Sequence, residues 1–351
     1  MKPTVVLLGL SAILLATLAC SISIPSVDVL TGPTTVTPID VPRLSDPSQE
    51  AYVTLLFGAN QLKLSPGAEG LVAGTVRTNL KDFEPVVTID GSDIRIVQGE
   101  LDVNGFPNIR ADDVVNEWNL KLGSDPIRLR IASGAYQGEM DLGGLALTDL
   151  YVSDGAATVK VDFSKPNTVP MSSLRYETGA SEVELRNLAN AHFASMNFRS
   201  GAGTYTLDFG GTLDQDAHVD VESGLSTLTI IVPEGTAAEV DVSGGLSSVN
   251  ASGAWVARDS AHYELDGQGP MLRIDINMGA GTVNLETRCR LPDEIEPGGA
   301  GHWPAPSRVW PEGSSCCLPA RACSWNSPGR ERGCHSSEID GPPCWAARNG
   351  R

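Results

Sequence analysis

The chain has 351 residues, with 25 Lys and Arg against 43 Asp and Glu, a formal net charge of −18. That acid surplus excludes a general nucleic-acid binder, because phosphate contacts are made by Lys and Arg. Aromatic residues make up only 5% but hydrophobic residues 41%, enough for a core of Val, Leu, Ile and Ala, so wholesale disorder is excluded too.

The first element is an export segment. Lys2 gives a positive start, and Val5 to Leu18 is an apolar run interrupted only by Gly9, Ser11 and Thr17. The run is short for a bilayer span and fits the core of a signal peptide over 1–19. It ends Ala16-Thr17-Leu18-Ala19-Cys20, and a small residue before a Cys resembles a bacterial lipobox. The resemblance implies cleavage before Cys20 and lipid attachment to it. Thr17 stands where the lipobox usually carries Leu. Cys20 is also the only cysteine before residue 289, so a disulfide gives it no role in the body. The mature chain is then expected on the extracytoplasmic face of a membrane, held through this lipid. Residues 20–48, with five prolines among many Ser and Thr, read as a tether.

From Ala51 the pattern changes to β. Tyr52–Phe57 and Gln61–Leu64 are short apolar-rich runs separated by Gly58-Ala59-Asn60. Val86–Ile89 and Ile94–Val97 flank Asp90-Gly91-Ser92, and Trp118–Leu122 and Ile127–Ile131 alternate with period two. Alternation turns one face to a core and the other to water. No window carries a helical apolar stripe. Residues 49–110 are read as an N-terminal β region.

Residues 111–287 contain a repeat. Strand-like units open at Gly155, Gly179, Gly201, Gly224, Gly245 and Gly279, spaced by 24, 22, 23, 21 and 34 residues. Each unit is a small turn followed by an alternating strand, as in Gly201-Ala-Gly-Thr-Tyr-Thr-Leu-Asp-Phe209. The glycine supplies positive φ or a close backbone approach at a corner. A period of ~22 residues predicts a solenoid of stacked short strands, all-β, with Val, Leu and Ile inward and Thr, Asn, Asp, Glu and Lys outward. The long spacing predicts an excursion around Trp255 to Gly269. The stack is expected to end on one side at the region before residue 110 and on the other at Thr287.

These repeats, with Phe57–Gly99 and the stretch Asn116–Asn167 containing Asp141-Leu-Gly-Gly-Leu145 and Phe163-Ser-Lys-Pro-Asn167, resemble the toast-rack β domain. That domain occurs in bacterial lipoproteins and in LiaF-type cell-envelope stress proteins. The resemblance implies a fold and carries over no catalytic motif. The LiaF-type branch implies restraint of a membrane histidine kinase, but its members carry transmembrane helices that this sequence does not show.

Residues 288–351 differ in composition. They hold six of the seven cysteines, four of the six tryptophans, nine prolines and eight arginines, with no Lys, Phe, Tyr or Met. Cys316, Cys317, Cys323, Cys334, Cys344 and His335 could ligate zinc, but no Cys-x-x-Cys pair occurs. A disulfide knot is a second reading. The third is a change of reading frame near Arg288 in a GC-rich gene. An irregular tail without helix or strand is expected in each case.

The body offers little chemistry. His192, His218 and His262 fall in different repeats without ligand spacing, and read as structural or surface residues. Ser226 and Ser247 sit at repeat corners rather than in a nucleophile elbow. Glu182, Glu184, Asp220 and Glu222 occupy alternate outward positions, a solvated acidic face rather than a carboxylate pair for hydrolysis. Asp214-Gln-Asp216 lacks the spacing of a calcium loop. The Asn250-Ala-Ser252 sequon is chance in a bacterial lipoprotein. Trp118 reads as core, and Trp255 as core with exposed contact as the alternative. No catalytic residue, metal or cofactor is assigned.

The expected function is a non-catalytic, adhesin-like binding or scaffold module of the cell envelope. Its partners would be the membrane, through the lipid on Cys20, and an envelope protein or wall component. The second reading is a stress-sensing ectodomain that contacts a membrane histidine kinase system.

Overall fold

The computed structural model describes residues 26–28, 31–100, 106–108 and 114–288. The export segment 1–19, Cys20 and residues 289–351 lie outside them. The described residues belong to one compact unit, 1–309; a second unit, 310–351, falls outside them entirely.

The described chain is almost all strand, with no α-helix. In order it forms β1 (Ser26–Asp28), β2 (Thr35–Val41), β3 (Ala51–Pro66), β4 (Val72–Thr78), β5 (Pro85–Asp90), β6 (Asp93–Gln98), β7 (Phe106–Asn108), β8 (Asn116–Leu122) and β9 (Pro126–Asp141). Then come β10 (Ala146–Asp162), β11 (Met171–Arg186), β12 (Phe193–Asp208), β13 (Ala217–Pro233), β14 (Gly235–Ala251), β15 (Val256–Ala257), β16 (His262–Leu265) and β17 (Gly267–Arg288). β1 pairs only with β7; the others form one sheet.

The spine of that sheet is eight parallel strands in the order β3-β9-β10-β11-β12-β13-β17-β14. Each is long. β10, with 17 residues, would extend about 56 Å if straight. The link 163–170 back to the start of β11 reaches at most about 29 Å. Each strand therefore bends in its middle, giving a first arm and a second arm.

The bend falls on glycine. Gly58, Gly134, Gly155, Gly179, Gly201, Gly224, Gly279 and Gly245 lie in one column across the eight strands, at a step that every pairing ladder between them skips. They pack backbone on backbone. A Cβ on Gly201 would lie 2.5 Å from the carbonyl oxygen of Gly179, and one on Gly245 2.6 Å from that of Gly279. Of the two roles expected for the repeat glycine, close approach is the one at work here. None of the eight has positive φ.

Two sequence expectations change as a result. Tyr52–Phe57 and Gln61–Leu64 are not separate strands but the two arms of β3, joined through Gly58. The repeat also starts earlier than residue 111, because β3 is a full member of the stack.

Alternate residues of both arms point inward and are buried. On the first arms they include Leu55, Ile131, Val152, Tyr176, Phe198, Val221 and Ile276, and on the second arms Val159, Val183, Tyr205, Leu228 and Val283. Tyr176 stacks on Phe198 at 5.6 Å, and Phe198 meets Tyr205 edge-on at 5.3 Å. Some polar groups inside the corner are paired with one another, although Ser133 Oγ and the Asn60 amide are buried there without a hydrogen-bond partner. The buried Asp154 carboxylate accepts from Tyr176 Oη at 2.9 Å, Ser181 Oγ at 3.2 Å and Thr178 Oγ1. Ser223 Oγ lies 2.8 Å from Ser200 Oγ and 2.6 Å from Ser226 Oγ.

The two ends are closed differently. Beyond β3, the first arm is covered by β6 and then antiparallel β5, and the second arm by β8, β4 and β2. Residues 20–48 are thus not wholly a tether. β2 lies within them and buries Ile39 and Val41, and Arg43 Nε donates to the buried Asp125 carboxylate at 3.0 Å. At the other end the last strand is β14, not the strand ending near Thr287. β17 is wedged between β13 and β14. The long repeat spacing holds β15 and β16, and β16 covers only residues 238–241 of β14.

Candidate functional site

Because the corner glycines set a common register, each outward position becomes a straight row across the stack. The row four residues before the corner runs Thr54, Arg130, Tyr151, Arg175, Asn197, Asp220, Asp275, Asp241. It is basic and aromatic on one side of Asn197 and acidic on the other. The Arg130 guanidinium lies 4.7 Å and that of Arg175 5.8 Å from the centre of the Tyr151 ring, a geometry that holds cations against a π face. Tyr151 Oη donates to Glu177 at 2.8 Å. Among the described residues neither Arg130 nor Arg175 forms an ion pair within the chain.

The row six residues before the corner runs alongside. It contains Arg128, Asp149, Ser173, Ser195, His218, Arg273 and Glu239. Arg128 pairs with Glu50 at 3.3 Å and lies 5.1 Å over Tyr52. Arg273 Nε donates to Glu239 at 2.6 Å. Burial raises the Asp149 carboxyl above its ordinary range, against the opposing pull of Arg128 and Arg175.

At the acidic side Asp220, Asp275 and Asp241 stand in register on adjacent strands, which is unfavourable for like charges. Two histidines lie among them. His218 Nε2 is 3.3 Å from Asp220 and 3.7 Å from Asp275. His262 Nδ1 is 2.9 Å from Asp241 and Nε2 3.1 Å from Glu264. Hydrogen bonds to Asp241 and then Glu264 raise the His262 imidazole above its ordinary value.

His218, Asp220 and Asp275 offer donor atoms within 4.8 Å of one another, so they are the residues that could hold a metal ion. The sequence alone shows no ligand spacing at the body histidines and reads them as structural or surface residues. The period-two spacing of His218 and Asp220 puts both on one face, and the third group arrives from β17. All three are half-buried or exposed.

The second arms carry a different surface. Thr204, Thr227, Thr282 and Ser248 form one row, and Thr206, Thr229, Asn284 and Asn250 the next but one. Their side chains bond across strands, Asn250 to Asn284 at 3.1 Å and Asn284 to Thr229 at 3.4 Å. This zone carries no charge in a strongly acidic chain. Toward β3 the same face becomes charged, with Lys63 at 3.7 Å from Glu139 and Lys160 at 3.8 Å from Glu184.

The other singled-out residues are not brought into a common site. His192 ends a 3-10 turn, Leu188–Ala191, with φ 55°, and sits 3.6 Å from Asp214. Asp216 instead accepts from the Met271 amide at 2.8 Å. Ser226 is held inside the corner. Glu182 and Glu184 lie on the outer face of β11. Asn250 belongs to the amide row, and Ser252 Oγ donates to the Leu285 carbonyl at 3.2 Å. Trp118 is buried, donates to Asn116 at 2.8 Å and meets Phe57 edge-on. Trp255 is also core, 8% exposed. Sequence reading missed the rows themselves. Aligning the strands on their corner glycines would have exposed them.

A search of curated proteins found no match. Among solved structures, a candidate cell adhesion protein from Clostridium sporogenes ATCC 15579 is 17% identical, with TM-score 0.40, covering 73% of this chain and 100% of its own. A candidate adhesin from Bacteroides fragilis NCTC 9343 is 9% identical, with TM-score 0.39, covering 74% and 99%. A candidate lipid binding protein from Parabacteroides distasonis ATCC 8503 is 10% identical, with TM-score 0.33, covering 74% and 99%. The profile described as "N-terminal domain of toast_rack, DUF2154" matches residues 31–169 and 165–231. With more than half of its length matched, and with its bent parallel strands stacked in one sheet, the chain belongs to the toast_rack family.

Proposed function

We propose that this chain is a non-catalytic binding or scaffold module of the bacterial cell envelope, anchored on the extracytoplasmic face by lipid on Cys20. The observation that carries the reading is the set of straight outward rows. Eight strands locked by a backbone-packed glycine column repeat the same outward position every ~4.8 Å. Such a surface suits a long partner that makes many weak, periodic contacts, whose sum is strong through multivalency. The uncharged hydroxyl and amide rows of the second arms fit a wall polymer or an envelope protein with complementary hydrogen-bonding groups.

The test is in-cell cross-linking of the tagged full chain, followed by membrane pull-down and mass spectrometry. Wall components or surface proteins are expected. Recovery of a membrane histidine kinase or its regulator would replace the scaffold reading with the stress-sensing one. The anchor is checked separately: Cys20→Ala is expected to move the chain out of the membrane fraction, and unchanged fractionation would remove the lipid from the proposal.

A further inference from the structure

The first-arm face is complementary to itself. Reversing the stack about β12 brings the row through Asn197 onto its own opposite. Arg175 then faces Asp220, Tyr151 faces Asp275, and Arg130 faces Asp241. The neighbouring row behaves in the same way about Ser195: Arg128 faces Glu239, and Asp149 faces Arg273. The register that makes both rows straight is observed strand by strand. Exposure fits as well, since Arg130, Arg175, Asp241 and Asp275 are all exposed.

We infer that two copies of this chain associate face to face through their first arms, about a two-fold axis running parallel to β12. A two-fold contact uses the same patch on both partners, so the patch must carry both halves of every pair. These rows do. The contact also supplies partners that a single copy lacks. Arg130 and Arg175 gain carboxylates, and the in-register Asp220, Asp275 and Asp241 gain two guanidiniums and a phenol. The face is large enough. The seven strands from β9 to β14, at ~4.8 Å by a first arm of about 26 Å, give roughly 870 Å² per copy, within the range of specific dimers. One feature opposes the pairing: the row two residues before the corner sets Glu177 against Glu222. Arg199 lies between them in that row, on the axis, 3.4 Å from Glu222 of its own chain.

The inference does not depend on the scaffold reading, because a monomeric scaffold and a dimeric sensor are both self-consistent. The experiment is sedimentation equilibrium of the full chain in density-matched detergent and reducing buffer, at low and high salt. The expected result is a dimer at low salt that weakens at least tenfold as salt screens the pairs. Two charge-reversed chains sharpen the test. Arg130→Glu with Arg175→Glu makes the row through Asn197 acidic on both sides, and Asp220→Lys with Asp275→Lys gives it basic residues on both sides. Each alone is expected to be monomeric, and an equimolar mixture of the two is expected to form heterodimers. A wild-type chain that stays monomeric at low salt overturns the inference. So do reversed chains that dimerise alone, or that fail to associate when mixed while their circular dichroism is native. Should a reversed chain fail to fold, the salt dependence of the wild-type chain decides.

Discussion

The glycine column and the row through Asn197 cross the same eight strands only four residues apart, yet they behave oppositely. One keeps a single residue type on every strand. The other passes from arginine to asparagine to aspartate. The column is fixed by space: its neighbour above and below is backbone, which cannot move aside for a Cβ. The row faces water, where nothing in the fold chooses among Arg, Asn and Asp. Uniform positions therefore report how the stack is built, and variable outward positions report what it meets.

Substitutions can break this comparison. The largest effect is expected from Gly201→Ala, whose Cβ would lie 2.5 Å from the Gly179 carbonyl oxygen. A loss of about 3 kcal/mol, read by urea unfolding, is expected because neither strand can shift without moving the rest of the column. The control is Gly32→Ala, where the nearest atom would be 3.7 Å away. Little or no loss is expected there. Equal losses at the two sites would mean that the column is not held by close packing.

A smaller effect is expected just inside the corner. Burial raises the Asp154 carboxyl above its ordinary value, despite hydrogen bonds from Thr178, Tyr176 and Ser181 that pull it down. An acid raised in the folded state is stabilising below its unfolded value, and that contribution is lost as pH rises through the folded value. Lowering the pH from neutral should thus raise the stability of the wild-type chain relative to Asp154→Asn. Parallel pH profiles of the two melting temperatures would sink the assignment. Asp208 is raised in the same way beside Arg288, so only the difference between the two chains isolates Asp154.

At the acidic end of the row, His262 is expected to titrate above its ordinary value of about 6.5 by NMR. Asp241→Asn should bring it down, since the hydrogen bond to Asp241 is the leading cause. Its stabilising effect is present at low pH and lost as pH rises through the folded value. The smallest effect belongs to the row itself. Arg175→Glu should change monomer stability by no more than about 0.5 kcal/mol in urea unfolding, even though it should matter for association. A large loss would show that the row belongs to the frame.

Much of the frame was legible in the sequence. Period-two alternation and the recurring glycines predicted an all-β stack, and Val159, Val183 and Leu228 were predicted to face inward, as they do. Val86–Ile89 and Ile94–Val97, read as β on either side of Asp90-Gly91-Ser92, lie in β5 and β6, which pair antiparallel. Pairing order was less legible. Local pattern carries no information about which strand lies next to which, so β17 was expected at the end of the stack and not inside it. Gly58 was read as a break between strands because a corner and a turn use the same residue. The first arms were largely missed, since the alternation there is interrupted by Ser, Asp and Thr packed inside the bend. The site was least legible. Arg130, Tyr151 and Arg175 are separated by more than twenty residues each, and only the register of β9, β10 and β11 places them side by side.

The wedging of β17 between β13 and β14 has a consequence for the order in which the chain can assemble. As synthesis proceeds from the N-terminus, each strand from β9 through β13, except where β3 awaits its neighbours, can dock on the one before it as soon as it emerges. β14 has no such template, because the edge it will use does not yet exist. Should it dock on β13 first, it would occupy the berth of its successor and would have to be displaced. The strands from β14 to β17 therefore form a closing unit that waits for residue 285 or so to appear. Slow variants of this protein should stall with β3 to β13 protected from amide exchange and the closing unit open.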